Sequence, residues 1–387
     1  MRAPSARRWL RGLALLLVCS GASPWGIRAD DLQPRGTAAV NVYSESMNTS
    51  IVSTSATGGV RLPHELELDL AWSADIISSA SVDVITAATD RIDELRNQAS
   101  VAVSRDFVGR DLDLDAGYTF SIERDSYSHV AHMGVRQGFL DDDLSLSLGY
   151  GLSYNRLGVR DEQMSKWRPL WVNTLDLGLT YILNPETQLE LIYSGGFSKG
   201  YHASRYRRVP ITFRQDLRAT EWVDELDPNT RVRNAITLRG EHAFGQRWIA
   251  SLGYRFYRDS WGVMGHTLRV GASVDLPGHV TLSLRARGSQ QGAASFYEPI
   301  YRSRTRYRTR DRRLSPHLTG MAGAAVAWDL GSYVGWDALE LRASADAVIY
   351  RFNDYFAPRL DSFGGAPWRT LGDLEGLVLH LELRLRR

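Results

Sequence analysis

The 387-residue chain is almost without cysteine, Cys19 being the only one. A disulfide framework and a thiolate metal site are excluded on that ground. Beyond the N-terminus no run of about eighteen apolar residues occurs, which excludes helical membrane spans. Charge of one sign is missing too: Lys+Arg is 46 against Asp+Glu 44, a formal net charge of +2. That balance gives no reason to expect nucleic acid as a partner. No G-x-S-x-G elbow, H-E-x-x-H helix or glycine-rich phosphate loop is present, and the 9 histidines are scattered. His129 and His132 fall on opposite faces of one strand, so they cannot share a metal ion. Neither an enzyme nor a cofactor is expected.

What the chain does have is alternation. In 143–156, Leu144, Leu146, Leu148, Tyr150, Leu152 and Tyr154 interleave with Ser145, Ser147, Gly149, Gly151, Ser153 and Asn155. A period of two means a β-strand with one apolar and one polar face. The polar face is too small and hydrophilic for a protein core, and the apolar one ends in tyrosine, a residue of bilayer interfaces. The length suits a tilted transmembrane strand better than a soluble one. The mean hydropathy of −0.27 is no objection, because lumen-facing residues of a barrel are polar.

Residues 1–29 read as an export signal. Arg2, Arg7, Arg8 and Arg11 precede a short apolar run over 12–18, then small residues follow. Cleavage after Ala22 and after Ala29 both remain open. Arg7 and Arg8 faintly resemble a twin-arginine signal and Cys19 a lipoprotein site. Ordinary secretion is preferred, because a barrel crosses the inner membrane unfolded and Val18 is bulky for a lipoprotein. Residues 30–387 then form a single domain.

The same alternation predicts strands at 36–45, 49–61, 65–77, 94–106, 111–122, 127–138, 143–156, 170–182, 186–198, 229–243, 247–258, 263–275, 279–292, 316–328, 338–351 and 373–386. That is about sixteen, an even number as in bacterial single-chain barrels. The first two and the fourth are rich in Ser, Thr, Asn and Ala, which leaves a fourteen-stranded barrel as the alternative. Taking every second connection, nearly all are short turns built from Pro, Gly, Asn or Asp, as at Pro63, Pro185, Gly245 and Gly278, with 330–336 somewhat longer. The other parity holds every long one: 78–93, 157–169, 199–228, 293–315 and 352–372. Short periplasmic turns opposite long external loops describe a bacterial outer-membrane barrel with both termini in the periplasm. Its expected partners are outer-membrane lipid, lipopolysaccharide and the assembly machinery. The last strand ends in Leu385, Arg386 and Arg387 rather than in the aromatic which that machinery commonly reads. Oligomeric state is not legible.

Parity also assigns the lumen. Glu67, Asp69, Asp75, Asp113, Asp115, Asp176 and Glu190 face inward from the first half. Arg233, Arg239, Arg255, Arg269, Arg285 and Arg287 do so from the second, with Glu241 and Asp275 among them. The expectation is an acidic wall opposite a basic one, either setting selectivity across an open pore or pairing inside a closed barrel. In 300–313 every even position from Arg302 through Arg304, Arg306, Arg308, Arg310 and Arg312 is arginine. If extended, that segment is a ribbon with an arginine comb along one edge, suited to the phosphates of lipopolysaccharide. Arg205, Arg207 and Arg208 can join it. Folded inward, the comb is an anion filter; the bland alternative is a solvated basic loop.

One loop resembles a family. Asp75-Ile76-Ile77-Ser78-Ser79-Ala80-Ser81, then Asp83 and Thr86, resembles a repeated D-x-I-S-x-A-S / D-x-x-T-x-A-S element. With Val42-Tyr43-Ser44-Glu45 upstream, the chain is similar to the exported bacterial proteins called domain of unknown function 3570. Ser79 stands where that family often has Gly, and Val82 where it often has Pro. The resemblance implies an outer-membrane barrel and no activity. Small residues over 78–89 either fold into the mouth as a constriction or cap strand ends, the latter preferred. The reading is a passive pore for small polar or anionic solutes. The alternatives are a closed barrel whose loops bind lipopolysaccharide and, third, a hydrolase.

Overall fold

The computed structural model describes residues 33–46, 49–79, 92–159, 162–213, 221–333, 335–357, 369–370 and 373–387. The 1–29 segment lies outside them, as do Ala80, Ser81, Asp83 and Thr86. Ser78 belongs to a strand by its backbone.

Nine strands run in chain order along the first part of the sheet: β1 (Gln33–Glu45), β2 (Thr49–Leu62), β3 (Leu66–Ser79), β4 (Ile92–Phe107), β5 (Leu112–Ile122), β6 (Ser126–Phe139), β7 (Leu144–Leu157), β8 (Arg168–Asn184) and β9 (Thr187–Gly200). A small hairpin follows, β10 (Arg208–Ile211) with β11 (Glu221–Asp224), outside the main sheet. The sheet resumes with β12 (Thr230–Phe244), β13 (Trp248–Asp259), β14 (Met264–Leu276), β15 (Val280–Gln291), β16 (His317–Asp329) and β17 (Ala338–Phe352). A second small pair, β18 (Phe356–Ala357) with β19 (Arg369–Thr370), precedes the last barrel strand, β20 (Leu374–Arg386). All neighbours are antiparallel, and β20 pairs with β1 to close a barrel of sixteen strands.

Each expected strand is present, with ends shifted by a few residues. The Ser- and Ala-rich β1, β2 and β4 are full members, so the fourteen-stranded alternative falls. Their weak alternation is enough because each has two hydrogen-bonded neighbours. Turns fix the register. At the β14–β15 turn, Gly278 (φ 84) and His279 (φ 60) adopt left-handed conformations, which Gly takes at no steric cost.

Closure gives two faces with different chemistry. Outward stand Leu68, Leu70 and Trp72 on β3, Leu146, Leu148, Tyr150 and Leu152 on β7, and Leu377, Leu379 and Leu381 on β20, all exposed. An apolar belt of that extent is untenable in water and is what a bilayer covers. Inward stand Ser, Thr, Gly and charged residues. Among the described residues, the clusters of buried apolar side chains lie at the long-loop end: Trp261 and Val263 of the short β13–β14 connection with Ala294 and Leu314 in one, Val209, Ile211 and Tyr301 in the other. The barrel is held by its closed hydrogen-bond ladder rather than by an interior core.

Candidate functional site: the charged lumen and its cap

The inward face of β3 to β6 carries the acids expected there, but arginine accompanies most of them. Glu67 lies 2.6 Å from both Arg35 on β1 and Arg61 on β2, and Asp69 lies 2.6 Å from Arg35. Asp113 pairs with Arg136 at 3.0 Å. Among the described residues Asp115 has only His132, at 3.9 Å. These partners come from the first half of the chain, which half-by-half parity had marked as acidic; the expected wall is therefore largely neutralised. Asp176 accepts a hydrogen bond from Ser194 at 2.6 Å. Asp75 sits inward opposite Arg96 in the β3–β4 ladder.

The basic face lies across the ring, since β4 and β14 are separated by half the strands in either direction. Register aligns it. Arg239 on β12 pairs with Gly253 on β13, Gly253 with Arg269 on β14, and Arg269 with Arg287 on β15. Three arginines and one glycine thus form a single row around the wall near mid-strand. Arg255 sits one inward position above Gly253, with its guanidinium over Tyr257. Arg285 pairs with Gly271 in the row below and forms a two-pronged bond to Asp346, at 2.6 and 2.5 Å. Arg239 meets Glu190 at 2.9 Å. Arg233, Arg255, Arg269 and Arg287 have no carboxylate partner among the described residues, and Nε of Arg233 and of Arg287 is buried without an acceptor. Glu241 and Asp275 face inward nearer the short turns, where Asp275 accepts from Thr281.

Glycines mark where these pairs lie. A Cβ on Gly59 would meet Asp69 Oδ1 at 2.1 Å and Arg35 Nε at 2.7 Å, so that ion pair lies directly over the glycine. A Cβ on Gly323 would likewise meet Asp346 Oδ1, the partner of Arg285. Over Gly253 the nearest side-chain atoms are the stems of Arg239 and Arg269, at 3.8 and 4.0 Å, beside the Leu238 carbonyl oxygen at 3.8 Å. No ion pair covers that glycine.

The arginine-rich segment 300–313 is not an extended ribbon. Tyr301 is buried against Val209 and Ile211 and bridges Ile211, while Arg308 bridges Leu226. The chain doubles back between them because the Tyr301 hydroxyl donates to Phe296 O and accepts from Thr309 N. The six arginines therefore separate. Arg302, Arg304 and Arg306 are exposed, Arg304 being clamped by Glu221 at 2.7 and 2.6 Å. Arg308 donates to Asp224 O and Thr305 O. Arg310 is buried, and Arg312 reaches Glu45 on β1 at 3.4 Å. Of the earlier group, Arg205 pairs with Glu162, Arg207 with Glu225 at 2.9 Å, and Arg208 with Asp224 at 3.5 Å.

Together, 201–213, 221–229 and 292–316 make a cap at the long-loop end. Its hub is Glu225, buried, accepting from Ser204 N, Arg207, Thr309 Oγ1 and Arg310 N at 2.9, 2.9, 2.5 and 2.9 Å. Tyr206 donates to Asp125 in the β5–β6 turn at 2.5 Å, so the cap is tied to distant arcs of the rim through both β1 and β5. Burial alone would raise the Asp311 carboxyl, yet the Arg207 and Arg313 guanidiniums hold it well below the usual carboxylate range. Asp227 goes the other way: burial, then the nearby Glu225 and Asp311 charges, push it up to about 7. Parity found the lumen side chains; nothing local in sequence announced the cap, whose contacts join residues some 80 positions apart, such as Arg304 with Glu221 (|i−j| = 83).

A family model described as "Protein of unknown function (DUF3570)" matches residues 84–355. No curated protein matches the sequence. Among solved structures the chain is similar to a bacterial polysaccharide outer membrane secretin, with 10% identity over 92% of this chain and 98% of that one and a TM-score of 0.51. It is also similar to CdiB from Acinetobacter baumannii (11%, 90% of this chain, TM-score 0.49), of whose length it spans 60%. A third is OccK2 (OpdF) of Pseudomonas aeruginosa in complex with glucuronate (11%, 92% and 98%, TM-score 0.43). At such identities the likeness is one of fold, an outer-membrane type of barrel.

Proposed function

The chain belongs to the DUF3570 family, and we propose that it is a passive pore for small polar or anionic solutes in a Gram-negative outer membrane. Residues 1–29 serve as the export signal in this reading, and the long loops face outward. One observation carries it: lumen side chains keep contact with water. Asp113 and Arg136 are 42% and 47% exposed, and Asp115 and Arg239 are 52% and 44% exposed. A packed, salt-bridged interior would leave such groups dry, whereas a barrel of this strand number has width for an aqueous channel. A solute passing inward meets the cap first, then the arginine row, then the neutralised acidic region beside the short turns. Refolded protein in a planar bilayer should give stable single-channel steps. Reproducible insertion without steps would overturn the pore.

The cap favours a second reading, a closed barrel that binds lipopolysaccharide at its surface. It crosses the mouth and leaves Arg302, Arg304 and Arg306 exposed. Arg308, Arg310 and Arg312 then act as internal ties of the cap. In this reading the double substitution Arg302→Gln with Arg306→Gln weakens lipopolysaccharide binding in low salt more than in high salt. Unchanged binding would remove it.

A further inference from the structure

Two arginines facing each other across a β-ladder repel, and a fold gains nothing from the arrangement. Arg269 and Arg287 are such a pair, directly opposed on β14 and β15. Elsewhere in the lumen the wall arginines come with a carboxylate: Arg35 and Arg61 with Glu67, Arg136 with Asp113, Arg231 with Asp259, Arg342 with Glu340, Arg384 with Glu382. Apart from Arg168 and Arg386 at the very ends of β8 and β20, those without one among the described residues, Arg233, Arg255, Arg269 and Arg287, lie on β12 to β15. The wall between them is floored by glycine rather than by a counter-ion, because the side-chain atoms nearest to a Cβ on Gly253 belong to arginine stems.

From this geometry we infer that the Arg269–Arg287 pair, with Arg239 and Arg255 beside it, is a binding site for a small oxyanion carrying two or more negative charges. The inference rests on the pore reading and deepens it by naming the solute class. Adjacent strands lie about 4.8 Å apart, so the opposed guanidiniums can grip one carboxylate or phosphate from two sides. A second acidic group on the same solute reaches Arg239 or Arg255 across Gly253. A singly charged anion gripped by the pair leaves one positive charge uncompensated and does not reach Arg239 or Arg255, so the row distinguishes charge number as well as sign. Carboxylate and phosphate share the required chemistry, two oxygens presented to a planar fork.

The test uses the refolded full chain with citrate and inorganic pyrophosphate as probes, and acetate as the singly charged control. Millimolar citrate or pyrophosphate should interrupt the single-channel current, and acetate at equal ionic strength should not. Arg269→Gln with Arg287→Gln should weaken the block about tenfold or more, while Arg136→Gln on the opposite wall leaves it unchanged. Without added anion the double variant should unfold at a temperature no lower than the wild type, since a repulsive pair has been removed. Block by citrate but not pyrophosphate identifies a carboxylate site, and the reverse a phosphate site. Conductance without block by either probe overturns the site and leaves the pore standing. If the wild type does not conduct, calorimetric citrate binding to the barrel in detergent decides. Binding lost in the double variant keeps the site and removes the pore, and absence of binding overturns the site.

Discussion

The wall formed by β3 to β6 and the wall formed by β12 to β15 carry charge in different ways. On the first, acids are matched by arginines brought from neighbouring strands, and Gly59 gives the Arg35–Asp69 pair room to lie flat. On the second, a row of arginines is held together by register while only Arg239 at its edge and Arg285 in the row below are neutralised. Fold stability accounts for the first arrangement. It does not account for the second, because opposed like charges oppose folding. In the proposed pore, water in the lumen makes the cost bearable, and solutes give it a use.

The comparison breaks most visibly at Asp346, which is buried at 6% exposure and binds Arg285 through both oxygens. Asp346→Asn extends the uncompensated row by one arginine. We expect a loss of about 1–3 kcal/mol, kept below the fully buried value because Arg285 is partly solvated. The temperature at which the barrel shifts mobility in detergent gels measures the loss, and anion preference should rise alongside it. Next in size, Arg269→Gln with Arg287→Gln should lower anion preference while changing stability by less than about 1 kcal/mol, in the favourable direction. Smaller again, Arg136→Gln frees Asp113 on the other wall. It should move selectivity toward cations with stability within about 0.5 kcal/mol, since both groups are well exposed.

The cap supplies the smallest effect and a sign that sets it apart from both walls. Asp227, with its pKa pushed up to about 7, holds its proton in the folded cap where the unfolded chain has lost it. Its contribution therefore weakens as pH rises from about 4 to about 7 and is level above that. Asp311 runs opposite: its depressed carboxyl stabilises the cap above the ordinary aspartate range and loses that effect as pH falls through it. Asp227→Asn should remove the decline between about pH 4 and 7 in heat-unfolding curves while leaving the acid-side loss. A decline that persists in the variant would assign it to another group.

How much was legible follows from where each interaction lives. Strands and faces depend on a period of two within one segment, so Leu144 to Tyr154 declared themselves. The Arg269–Arg287 opposition was legible in principle, because the turn at Pro277, Gly278 and His279 fixes which residues of β14 and β15 meet. Whether an inward arginine has a partner depends on neighbours beyond the adjacent strand, as with Arg285 on β15 and Asp346 on β17, and parity alone does not reveal that. The 300–313 segment misled for a physical reason. Its strict alternation is that of a strand, but alternation yields a ribbon only if a neighbouring strand pairs with it. Here Tyr301 and Thr309 fold the segment onto 201–213 and 221–229 instead.

The most direct test of the uncompensated basic wall is the reversal potential of single channels under a potassium chloride gradient. Wild type should prefer chloride, the Arg269→Gln with Arg287→Gln variant should lose most of that preference, and Arg136→Gln should shift toward potassium by a smaller step. Cation preference in the wild type, or no response to the double substitution, would contradict the account.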